Sequence, residues 1–171
     1  MRHIRSLSVL IFASQLLIQT LGFASVPGQN VSCLDNSGKE LPAINEQVLQ
    51  WKASTPNQFL ARGHVTGVIQ NIYPIRNGHY HFQAQIGPKL TDTIEVIYNI
   101  SFGQINNIVP GLSVEACGDY ITSTAPTQTY QPSPDGAIIH WIHRSPDQHR
   151  HASGYLIINN ILYGQGSGSG S

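Results

Sequence analysis

Apolar residues recur first at helical spacing and then at every second position. Ile44, Val48 and Trp51, with Leu49 widening the stripe, predict one short amphipathic helix. Pro42 suits its first turn, and Ser54-Thr55-Pro56-Asn57 ends it. From Gln58 to Ile72 the period falls to two, with Phe59, Ala61, Gly63, Val65, Gly67 and Ile69 on one side. Two glycines inside such a run mark a bulge or strong bend. Arg76-Asn77-Gly78 predicts a hairpin turn. In the next strand Tyr80, Phe82, Ala84 and Ile86 alternate with His79, His81, Gln83 and Gln85, giving one dry and one wet face. A third strand spans Thr93 to Ile100, and a connector follows in which Gly103 to Ile108 read as a helical turn. Leu112 to Ile121 form a fourth strand, with Leu112, Val114 and Ala116 inward and Gly118 beyond them. Proline and polar residues over 124–135 predict a mobile loop. A fifth strand is expected from Gly136 to about His143, and a last strand or hairpin from Tyr155 to Tyr163.

This order predicts a mostly β domain, a small five- to six-stranded OB-like Greek-key barrel with one N-terminal helix. Pro110 to Tyr120, with a turn glycine, alternating apolar residues and a second glycine, looks like the fourth strand of such barrels. The main rival is a small β-sandwich.

The ends change the boundaries. Residues 1–24 carry Arg2 and Arg5, an apolar stretch from Leu7 to Leu21, and then Gly22-Phe23-Ala24, the three parts of a secretory signal. Gln15 and Gln19 interrupt the apolar run, which is shorter than the ~20 residues needed to span a bilayer. The expected product is exported, periplasmic or extracellular, with no membrane span after signal removal. Residues 164–171 read as a flexible Gly/Ser tail or expression scar, leaving a single folded domain over about 30–163 of the 171 residues.

Nine Lys+Arg against nine Asp+Glu make the whole chain neutral. Without Arg2 and Arg5 the balance is seven to nine, a net charge of −2. A nucleic-acid strand is therefore not a favoured partner, because phosphate neutralisation supplies most of such affinity. Cys33 and Cys117 are the only cysteines, and an even count in an exported chain favours a disulfide over two unrelated buried thiols.

Seven of the eight histidines remain in the mature part, and His140, His143, His149 and His151 fall within twelve residues. Imidazole suits zinc, copper or nickel. On a continuous strand, however, His140 and His143 are three apart and point to opposite faces. The metal-ligand candidates are His79, His140, His143 and His151; no cofactor is expected, zinc being the alternative they would hold. The plainer expectation holds His140 near the core by a backbone hydrogen bond and leaves the others solvated. Trp141, Tyr80, Phe82, Tyr120 and Arg144 could form the aromatic and basic face that OB-folds use for single strands or sugars.

No nucleophile elbow, His-Glu-x-x-His, phosphate loop or Cys-x-x-Cys is present. Glu95, Asp119 and Asp147 could each act as acid or base, but nothing in the sequence pairs them.

Two stretches carry a family resemblance. Gly136-Ala137-Ile138-Ile139-His140-Trp141-Ile142-His143-Arg144-Ser145-Pro146 and then His151-Ala152-Ser153-Gly154-Tyr155 resemble the exported bacterial family called domain of unknown function 3465. Gly78 to Phe82, Asn99-Ile100 and Gly118-Asp119-Tyr120 are similar to further segments of it. Tyr98, Ser145 and Tyr155 depart from it where relatives tend to carry His, Asp and Trp. The resemblance implies a small exported domain without an assigned reaction.

The preferred reading is a binding module rather than an enzyme, with its surface at His79, His81, His140, Trp141, His143, Arg144 and His151. Its ligand would be a nucleic-acid strand, a glycan or a protein. One alternative is a histidine-ligated metal-dependent hydrolase or nuclease, with Asp147 as base. Another is a structural or self-assembling envelope or extracellular protein.

Overall fold

The computed structural model describes residues 31–146 and 151–166. One helix, α1 (Asn45–Ser54), precedes seven strands: β1 (Leu60–Arg76), β2 (His79–Gln85), β3 (Thr93–Asn99), β4 (Ser113–Thr122), β5 (Ala137–His140), β6 (Tyr155–Ile158) and β7 (Ile161–Tyr163). The protein is mostly β, as the alternating pattern predicts. The predicted signal over 1–24 lies outside the described residues.

All seven strands share one sheet in the order β1-β2-β3-β5-β4-β6-β7, and β1 also pairs antiparallel with β4. Pairing therefore runs β1–β2–β3–β5–β4 and returns to β1. The β3–β5 contact is parallel, Glu95 opposite Ile138 and Val96 opposite Ile139. The strand count exceeds the expected five to six because Tyr155 to Tyr163 folds as the hairpin β6–β7. Asn159 and Asn160 turn it, at φ +47° and +66°, a left-handed pair that asparagine tolerates.

Inside lie Val65, Ile69, Phe82, Ala84, Ile94, Val96, Tyr98, Tyr120, Ile139 and Leu156, all fully buried. Helix α1 covers this core with Val48 and Trp51, whose ring lies 5.3 Å from Tyr120 and 5.9 Å from Phe59. The helix starts at Asn45, so Pro42 stands outside it. The Asn45 side chain donates to the Thr66 and Ile86 carbonyls at 2.7 and 2.8 Å and accepts from the Thr66 N–H at 3.0 Å. Meanwhile the Leu41 and Ile44 amides donate to Cys33 and His64, which keeps residues 41–44 bound as a strap instead of a helical turn.

The connector after β3 also departs from expectation. Its helical turn is Ile100–Phe102, not Gly103 to Ile108. The Asn99 side chain accepts from the Ser101 N–H at 2.9 Å and starts the turn, and Gly103 at φ +126° ends it.

Cys33 and Cys117 form a disulfide, tying the strap over 31–41 to β4. Beneath the strap Arg62 donates to the Leu34 and Ser153 carbonyls and pairs with Asp119 at 3.0 Å. Beside it Tyr155 donates to Glu115 at 2.6 Å, and His64 lies 3.1 Å from the same carboxylate. A polar second core thus fastens the N-terminal strap.

Candidate functional site: an imidazole–indole cluster

The pleat of β2 turns Phe82 and Ala84 inward and His79 and His81 outward. His81 opposes Ile97 across β2–β3, and continuing the parallel register of β5 brings His140 beside Ile97 from the other side. The outer row therefore carries an imidazole from each neighbour of β3.

Strand β5 stops at His140, three residues short of the predicted end. Trp141 takes φ +55°, a left-handed conformation rare for a bulky residue. The opposite-face expectation for His140 and His143 fails for this reason: the backbone reverses between them, and both rings reach Trp141. Three glycines make room for the reversal. A Cβ on Gly118 would overlap the His140 carbonyl and the Ile142 side chain, and one on Gly154 would overlap the Cys117 and Trp141 carbonyls. At Gly164 it would come within 2.7 Å of the Ile142 carbonyl and 3.0 Å of the His143 Cα. Gly154 N–H donates to the His143 carbonyl at 2.8 Å, and Arg144 N–H to that of Gly164 at 2.6 Å. Residue 164, assigned to the tail by composition, is thus packed against the site.

Trp141 stacks on His140 at 4.6 Å between ring centres and on His151 at 4.7 Å, and meets His143 edge-on at 5.9 Å. His79 lies 5.5 Å from His140 and 6.4 Å from His81, and His143 lies 5.0 Å from His151. Three imidazoles thus meet one indole, and His79 and His81 of β2 extend the row from His140. Arg144 is exposed next to them. Phe102 stacks on His143 at 3.6 Å, a contact sequence reasoning missed. Its only signal was one aromatic residue in a connector that also holds Ile105, Ile108 and Val109. The broader aromatic face does not form: Phe82 and Tyr120 are in the core, leaving Trp141, 40% exposed, as the open ring.

Hydrogen bonds set which nitrogen each ring offers. Nδ1 of His79, His143 and His151 faces the carbonyl oxygens of Asn77, Arg144 and Ala152, at 2.8, 2.9 and 2.9 Å. A carbonyl only accepts, so these Nδ1 atoms carry the hydrogen and Nε2 is left as the second functional nitrogen. His81 makes the equivalent contact to the Glu95 carboxylate at 2.8 Å. His140 differs: its Nε2 is buried without a hydrogen-bond partner. Burial, reinforced by His79, His143, His81 and His151, pushes its pKa down to about 3. Burial also lowers His143, against the raising effect of its bond to the Arg144 carbonyl.

Two of the three acidic candidates are already paired. Glu95 is buried against His81, and Asp119 pairs with Arg62. Asp147 and His149 lie outside the described residues. Among the described residues no group of three or more His, Cys, Asp or Glu side chains is placed to hold a metal ion. No described helix is long and apolar enough to cross a membrane. Neither a family model nor a curated protein matches the chain.

Proposed function

We propose that this protein is an exported binding module built as an OB-like barrel, and that its ligand site is the imidazole–indole cluster at His79, His81, His140, Trp141, His143 and His151. The barrel reading draws support from the pairing circuit that returns to β1, and export from the disulfide, a bond of oxidising compartments. One observation carries the site: four rings spend Nδ1 on carbonyl or carboxylate oxygens while His140 keeps a buried, unpartnered nitrogen beside an exposed indole. A buried polar atom without a partner costs about 1–3 kcal/mol, an expense that a ligand contact would recover. Hydrolysis has less support among the described residues, because Glu95 is already bonded to His81 and Asp119 to Arg62.

The test follows Trp141 emission in a Trp51→Phe background. The probes are a single-stranded oligothymidylate, a neutral oligosaccharide and divalent transition-metal ions. At least one class should change the emission and raise the melting temperature, and a His140→Ala/His143→Ala variant should lose both effects. Silence from all three classes would remove the reading.

A further inference from the structure

We infer that the cluster takes a late first-row divalent metal ion, copper(II) most tightly, held between Nε2 of His79 and Nε2 of His140. The inference rests on the binding-site reading above and names its ligand. Three observations carry it. The two rings come from different strands, β2 and β5, and stand 5.5 Å apart at 68°. Two imidazoles sharing one ion as neighbouring ligands, with nitrogen–metal distances of about 2.0–2.1 Å, have ring centres roughly 5 Å apart. The observed spacing is close to that without movement of either strand.

Second, the His79 Nδ1–H donates to the Asn77 carbonyl at 2.8 Å, the outer contact that fixes tautomer and ring orientation in metal-bound histidines. Nε2 is then the nitrogen left to coordinate. Third, His140 Nε2 has no hydrogen-bond partner, and an ion would supply one. Trp141 stacks on that ring and limits its rotation.

The donor set selects the ion. Nitrogen without free carboxylates suits copper, nickel and zinc, whereas calcium and magnesium require oxygen ligands. With no third described histidine, cysteine or carboxylate in place, water completes the coordination sphere. Such an ion exchanges, unlike one in a closed four-ligand structural site.

Isothermal titration of the chelator-treated full chain with copper(II), read alongside its electron paramagnetic resonance spectrum, tests this. One equivalent should bind with nitrogen hyperfine structure in the spectrum. Affinity should fall at least about tenfold in His79→Ala and in His140→Gln, whose folding is checked by circular dichroism. His64→Gln, whose ring bonds Leu41 and Glu115 instead of the cluster, should bind as the parent does, and magnesium should give no signal. If copper does not bind while the oligonucleotide or the oligosaccharide still perturbs Trp141, the metal inference falls and the binding-site reading stands. If no probe binds, both fall. If loss is confined to His143→Ala and His151→Ala, the ion belongs to that pair and the assignment to His79 and His140 is overturned.

Discussion

Trp141 combines a costly backbone with a central side chain. Its φ of +55° crowds Cβ against the preceding peptide, at about 1–2 kcal/mol for a non-glycine residue. The stacks with His140 and His151 form on that same turn. Truncation should separate the two contributions. Trp141→Gly and Trp141→Ala lose the stacks equally, but glycine accepts the left-handed turn, so Trp141→Gly should be the more stable by about 1 kcal/mol in urea denaturation. Equal stabilities would mean that the turn carries no strain.

At the scale of elements, Glu115 joins three strands. From β4 it meets His64 of β1 and Tyr155 of β6. The His64 hydrogen bond, aided by the Tyr155 phenol and opposed by burial, holds its carboxyl below the ordinary 4.5. A group depressed in the folded state binds more protons when unfolded. Its stabilisation is therefore present above pH 4.5 and is lost as the pH falls through the lower folded value. Melting temperatures of the parent should exceed those of Glu115→Gln near neutrality and converge with them in acid. A constant gap would show that the carboxylate's charge contributes nothing. The β1–β4 elements were legible because apolar residues recur at every second position along them. Burial follows that pattern in β2, where Phe82 and Ala84 are buried and His81 and Gln83 are not, but not in β1 or β3, where four consecutive residues are buried. The end of β5 was not. It depends on Gly118, Gly154 and Gly164, which lie far from Trp141 along the chain or beyond β6, so no local window around His140 contains the cause. The start of α1 was missed for a similar reason, since Asn45 is anchored by carbonyls at positions 66 and 86.

For the whole molecule, the covalent link matters most at the N-terminal edge. The disulfide closes a span of 84 residues between the strap and β4. Replacing both cysteines by alanine should lower unfolding free energy by about 2–5 kcal/mol, measured by denaturant titration. A loss under about 1 kcal/mol would show that Arg62 and the strap's backbone bonds suffice to hold the segment. The cluster lies on the same outward row, Asp119 standing opposite His140 across β4–β5, and it draws on β2, β5 and the approach to β6: β4 joins β5 to β6, and β3 joins β5 to β2. Its histidines were recognisable as a set in the sequence. Their arrangement was not, because pairing order and the left-handed residue decide which rings meet.

The glycine seats at 118, 154 and 164 would mislead a saturation scan of this protein. Alanine at any of them would displace the chain carrying His140 to His143 and so disturb the proposed site, although none contributes a functional group. A tolerance map would score these three positions as harshly as the imidazoles, and a designer retuning selectivity should leave them untouched and vary the rings instead.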